Sequence, residues 1–165
     1  MTWRGSTTVK DRIFASLTYL LPLFYVMQFA LQLRLPLLSQ IPLLGTALEI
    51  LLLPVAIVFR LVPFGLAGII IFFVLFLLVV RNERIAHFIR FNTMQAILLD
   101  ILLVLCSFAI DILGRGLGAN FFIETLSNVI FLGTLAACGY GIVQSLLGRY
   151  AEIPTLSEAV YAQVR

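Results

Sequence analysis

Apolar residues run along this chain in blocks long enough to cross a bilayer, separated by short stretches where charge, proline and glycine collect. The hydrocarbon core of a membrane needs about 20 apolar residues per helix. Three blocks meet this plainly: Ile13 to Leu33, Phe91 to Leu113 and Phe121 to Leu147. A fourth, Leu61 to Val80, is the most apolar and ends at the charged turn "RNER". Pro63 and Gly65 in "LVPFG" suit its start, because the first helical turn does not need the N–H that proline lacks.

The stretch from Pro36 to Arg60 is also apolar, but Pro36, Pro42 and Pro54 divide it and Glu49 falls within any helix it forms. A carboxylate at mid-bilayer costs at least about 2.5–3.5 kcal/mol on insertion scales. Arginine and lysine positions arbitrate. With four spans, Arg4, Lys10, Arg12, Arg81, Arg84, Arg90, Arg149 and Arg165 share one side against Arg34, Arg60 and Arg115, eight against three. With five spans the division is five against six, which carries no bias. The positive-inside rule therefore selects four spans with both termini cytoplasmic. Residues 36–60 become an interfacial or re-entrant segment between spans one and two, and residues 148–165 a cytoplasmic tail. The expected fold is a single all-α integral membrane domain over residues 1–165.

Composition narrows the function. At 62% hydrophobic and 12% charged, with mean hydropathy +1.11, a chain of 165 residues has more apolar surface than a small soluble globule can hide. Nucleic-acid binding is not expected despite the net charge of +3, because the basic residues punctuate apolar runs as topology signals do. Only twelve residues precede the first apolar run, too few for a transit peptide, and the run reads as a retained span. Cys106 and Cys138 lie in different spans at depths differing by roughly 9 Å, which disfavours a disulfide and leaves them as small buried hydrophobes. No nucleotide-binding loop, paired nucleophile and base, or metal-spaced cluster is present, and His87 is the single histidine. No catalytic residue, cofactor or metal is expected.

The segments "LTYLLPLFY", "VPFG…IIFFVLFLLVVRNERI…FIRFNTMQAILLDI" and "AEIP…SEAVYAQVR" resemble the Tic-twenty family, the small four-helix subunit of the translocon at the inner envelope of chloroplasts. The resemblance covers nearly the whole chain and points to the cyanobacterial type of member. Its most specific block contains Arg90, Asn92, Thr93, Gln95 and Asp100. It implies a non-enzymatic membrane subunit of a protein-conducting assembly. The expected partners are the lipid bilayer, other membrane subunits or further copies of itself, and a translocating polypeptide. The alternative is a small ion or solute transporter with Asp100 as its polar station.

The polar residues of the spans supply candidate sites. At 100° per residue, Thr93, Ala96, Asp100, Ser107 and Asp111 fall within about 60° of one another, a polar seam on span three. It faces either a water-filled path or partner side chains that clamp the acid inside the bundle. Arg90 anchors the cytoplasmic end, Asn92 and Thr93 are placed to bond the first free helix amides, and Gln95 points away from the seam. In span four, Gly133, Ala137, Gly141 and Ser145 recur every fourth residue, a ridge that lets another backbone approach, inside the bundle or between subunits. Pro22, Tyr19, Tyr25 and Gln28 suggest a kinked first span with polar contacts. The tail forms a short helix from about Ser157 whose Leu156, Val160 and Val164 face a membrane surface or a partner. The charge bias predicts that cysteines introduced at Ser6, Glu83 and Glu158 react with impermeant reagents only after the inner face is opened. Labelling of Glu83→Cys from outside intact cells contradicts this topology.

Overall fold

The computed structural model describes residues 7–33, 40–63, 66–118 and 121–164, all helix or connecting turn with no strand among them. Arg4, Arg34, Pro36, Gly65 and Arg165, used above for topology and helix ends, lie outside the described residues. The first span is built from α1 (Val9–Thr18) and α2 (Leu20–Gln32), joined at Tyr19. Thr8 caps α1: its hydroxyl accepts from the Asp11 amide (3.2 Å) while its own amide donates to the Asp11 carboxylate (2.8 Å), a reciprocal capping box. The irregularity at Tyr19 follows from Pro22, which has no N–H to return to the carbonyl four residues earlier and whose ring crowds it.

Two longer helices complete the centre of the bundle, α5 (His87–Leu117) and α6 (Phe121–Leu146). The first span runs parallel to α5 and antiparallel to α6. Tyr19 meets Asn92 near one end, while Phe29 and Gln32 share a cleft with Ser107, Asp111 and Ile123 near the other. Tyr19, Met27, Ala96, Leu103, Phe131 and Cys138 fill the space among the three helices. Leu105, Phe108 and Val129 point outward and are about 60% exposed, as side chains facing hydrocarbon should be.

Between the first span and α5 the chain differs from expectation. Residues 42–61 form one helix, α3 (Pro42–Leu61), while the next helix begins only at Ala67 as α4 (Ala67–Val74) and continues as a π-helical turn, Leu75–Val80. Four helices are long and apolar enough to cross a membrane, namely Val9–Gln32, Pro42–Leu61, His87–Gly116 and Phe121–Leu146. The expected number stands, and Pro42–Leu61, expected as an interfacial or re-entrant segment, is one of the four by length and composition, while the apolar helix over 67–80 is shorter. Pro42 sits in the first turn, where its missing N–H costs nothing, and Pro54 is accommodated within the helix. The segment 67–80 reaches only about 21 Å at 1.5 Å per residue, short of a 30 Å hydrocarbon core.

Ring packing fixes where the two pieces meet. Phe59 near the end of α3 lies 4.4 Å from Phe24 and 5.6 Å from Tyr25, centroid to centroid. Gly68 at the start of α4 touches the same place: a Cβ there would collide with the Tyr25 hydroxyl and reach the Phe59 ring. Tyr25 also shares a cleft with Asp100, halfway along α5. The α3–α4 junction therefore sits at mid-bundle, and the π-helical turn Leu75–Val80 packs against α5 near the Val80–His87 turn.

Both described termini and the Val80–His87 turn lie at one end. Val80 meets Arg90, and Gly148 abuts Arg12 and Thr7. Lys10, Arg12, Arg81, Arg84, Arg90 and Arg149 gather there, while Arg115 marks the opposite end. The small-residue ridge of α6 divides by neighbour. Gly141 and Ser145 are buried, Ala137 is half-buried, and Gly133 has open space where a Cβ would go. At Gly141 a Cβ would collide with the Tyr19 ring, so this part of the ridge is internal packing. Gly141→Ala is expected to lower stability by about 1–3 kcal/mol, the usual cost of overpacking, whereas Gly133→Ala should be nearly neutral. Unfolding in detergent micelles, followed by loss of monodisperse protein on heating, compares the two.

Candidate functional site

The block "FIRFNTMQ" begins inside α5 rather than ahead of it. The helix starts at His87 with Ala86 as its cap, so Asn92 and Thr93 lie within it and do not cap its first amides as expected. The apolar run starts at Phe91, but His87 and Arg90 find partners from distant segments and extend the helix by a turn. The Arg90 Nε donates to the Val80 carbonyl (2.8 Å), satisfying an oxygen at the end of the π-helical turn that has no helical partner. His87 Nε2–H donates to the Val164 carbonyl (3.4 Å), which leaves Nδ1 to accept from the Tyr150 hydroxyl (3.0 Å). The histidine thus holds the tail.

Asn92 and Gln95, on adjacent faces of α5, are completely buried and organise a polar cluster. The Tyr19 hydroxyl donates to Asn92 Oδ1 (3.0 Å) and accepts from Gln95 Nε2 (3.1 Å). Asn92 Oδ1 also accepts from Ser145 of α6 (3.0 Å), and Asn92 Nδ2 donates to the Phe88 carbonyl (2.8 Å). Gln95 Nε2 donates its second hydrogen to the Ala151 carbonyl (2.6 Å), and Gln95 Oε1 accepts from Ser157 (3.3 Å). In hydrocarbon an unmet amide hydrogen or oxygen is expensive, so these groups fix one another's positions. One cluster joins the first span, α5, α6 and the tail.

The tail packs on its own bundle. Helix α7 (Leu156–Gln163) places Ser157 and Val160 against α5, and Val164 beyond it is also buried. Tyr150 packs edge-on against Phe91 and Tyr161 at a tilt, at centroid distances of 5.0 and 4.9 Å. Ser157 lies one residue inside the helix and uses its hydroxyl on Gln95 instead of capping it. Of the contributors to this cluster, Ala151 left no sequence signal, because it acts through its carbonyl. Tyr19 and Gln95 were visible as polar groups in apolar spans.

The seam residues have separate surroundings. Thr93 is fully buried, faces an apolar cleft of about 620 Å³ with Phe14, Leu17, Val58 and Leu75, and its hydroxyl has no partner among the described residues. Asp100 is 9% exposed, and its Oδ1 likewise has none. Ser107 donates back to the Leu103 carbonyl (2.8 Å), and Asp111 pairs with Arg115 (2.6 Å) at the surface. Cys106 and Cys138 are free thiols. Among the described residues no group of three His, Cys, Asp or Glu comes together to hold a metal ion.

Four span-length apolar helices around a closed, polar-clamped core define an all-helical membrane protein. The sequence profile of the family described as "Chloroplast import apparatus Tic20-like" matches residues 8–160, and the chain belongs to that family. A Tic20 family protein of Synechocystis is 48% identical over 94% of each chain. The chloroplastic protein TIC 20-II of Arabidopsis thaliana is 33% identical over 96% of this chain and 74% of its own. The Ycf60 protein of Porphyra purpurea, also a Tic20 family protein, is 31% identical over 99% of this chain and 80% of its own.

The geometry predicts that Gln95→Leu loosens the tail. Ala151 and Ser157 lose their partner at a cost of about 0.5–2 kcal/mol, the range of hydrogen bonds in membrane proteins. Limited proteolysis should then cut between Tyr150 and Gln163 faster than in the wild type while the bundle stays intact. An unchanged cleavage rate would mean that Gln95 does not hold the tail.

Proposed function

We propose that this chain is a non-enzymatic, multi-pass subunit of a protein-conducting membrane assembly, working with other membrane subunits or further copies of itself on a translocating polypeptide. Family membership supports a role connected with protein import. One structural observation carries the finer reading: the space among the three central helices is filled by Tyr19, Leu103, Phe131 and Cys138. A bundle packed on its own side chains has no polypeptide-wide passage, so movement of a protein requires a surface shared with something else. The basic end, with both described termini, is assigned to the cytoplasm by the positive-inside rule. A cyanobacterial membrane is the proposed location, corresponding to the chloroplast inner envelope for plastid relatives.

Gly133 is the exposed member of the small-residue ridge and the natural place for a neighbouring helix to approach. Gly133→Leu should dissociate a larger complex on native gels in mild detergent while leaving the chain inserted. Wild-type migration of the variant would remove the ridge from the interface. Migration of the wild type itself as a free monomer would contradict the assembly reading. A second reading, ion or solute transport through Asp100, is favoured by its Oδ1, which has no partner among the described residues. Flux across liposomes that is lost in Asp100→Asn would establish it.

A further inference from the structure

Helix α3 is the least covered of the four span-length helices. Of its apolar stretch 11% is buried, against 56% in the first span. Leu48 and Leu52 face the core, and Phe59 packs on Phe24 and Tyr25. A second stripe lies beside that buried one. At 100° per residue, Gly45, Glu49, Leu53, Ala56 and Arg60 fall within about 80° of one another, at the alternating three- and four-residue spacing of helices packed along their length. Glu49, Leu53 and Arg60 are exposed, and a Cβ at Gly45 would meet nothing.

Arg60 is the unusual member. Phe59 beside it lies at mid-bundle, level with Tyr25 and, across the Tyr25 cleft, with Asp100. Arginine keeps its charge in proteins, and a bare guanidinium at the centre of a bilayer is costly. In a bilayer centred on the bundle the headgroups are about 15 Å away, beyond the reach of one side chain. Arg60 makes no hydrogen bond or ion pair among the described residues, not even to the carbonyls that end its own helix.

We propose that this stripe of α3 seats a membrane helix of a different protein, which brings a carboxylate to the depth of Arg60. The proposal rests on the assembly reading and names a further surface of that assembly and the chemistry of its partner. Charge complementarity selects the occupant. Lipid offers only hydrocarbon at this depth and keeps its phosphates at the surface. A second copy in the same orientation fits poorly as well. All eight acids of the chain are among the described residues, and Asp100, the one level with Arg60, is only 9% exposed. Glu49 stands about 16 Å further along α3. A helix with an acid facing Arg60 supplies the partner that the described residues do not, and Gly45 and Ala56 let its backbone come close.

A photo-crosslinking phenylalanine analogue at Leu53, in the full chain in its own membrane, tests this. The same analogue at Leu105 or Phe108 serves as the lipid-facing control. Leu53 should give an adduct with a different membrane protein, shown by mass spectrometry to carry an acid within a span. Arg60→Leu should lower its yield at least about threefold, and Arg60→Lys less. Arg60→Glu, combined with that acid changed to Arg, should restore it. The isolated chain carrying Arg60→Leu should be no less stable in micelles, since no internal bond is lost. An adduct between two copies, a partner without such an acid, a yield indifferent to Arg60→Leu, or no protein adduct overturns the proposal. So does Arg60→Cys, with Cys106→Ala and Cys138→Ala, reacting with a charged thiol reagent as fast as Glu83→Cys, because the guanidinium then sits in water. Each of these leaves the assembly reading standing wherever native gels still show a larger complex, whereas a free monomer on those gels defeats both.

Discussion

The hydrogen bonds that Gln95 and Asn92 share with Tyr19 hold this molecule in register. Lipid tails are as apolar as the side chains of the spans, so burying leucine against leucine gains little over leaving it in the membrane. Specific polar contacts and close packing must then determine which helix faces which. Asn92 and Gln95 satisfy a tyrosine from the first span, a serine from α6, and a carbonyl and a serine from the tail. Sliding any one of these elements by a turn would leave several of those groups bare.

Much of the remaining architecture depends on that arrangement. Tyr19 reaches the cluster from the joint that Pro22 imposes, and the Tyr19 ring occupies the space left by the absent side chain of Gly141. The tail comes back over α5 because Ala151 and Ser157 are bonded from below, and Phe91, Tyr150 and Tyr161 then close around it. At the same end Arg90 ties the π-helical turn to α5, so the basic end is tightly joined. The opposite half is looser in design: a cleft separates α4 from α5 there, and the Asp100 Oδ1 has no hydrogen-bond partner among the described residues. One end is built for rigidity and the other presents polar surface, a division that suits a subunit engaging something beyond itself.

The all-helical class and the number of span-length helices were legible because hydropathy and block length follow directly from bilayer thickness. Where each helix begins and ends was not. The prolines and Glu49 argued against a span over residues 36–60, yet residues 42–61 form one continuous helix in which Glu49 stays exposed and Pro54 is accommodated. Capping by Asn92 and Thr93 was inferred from the first apolar residue, but partners for His87 and Arg90 arrive from 77 and 10 residues away and extend the helix backward. The Gly133 to Ser145 ridge was visible as a pattern, whereas the neighbour that each small residue admits depends on packing. Gly68 gave no signal at all, since its role exists only because Tyr25 stands opposite.

The central claim is that the Tyr19–Gln95 contact acts as part of one cooperative cluster. A double-mutant cycle of Tyr19→Phe and Gln95→Leu, with stability measured by steric trapping in micelles, tests it most directly. Neighbours in one hydrogen-bond network should show a coupling of at least about 0.5 kcal/mol. Strict additivity of the two substitutions would contradict the account.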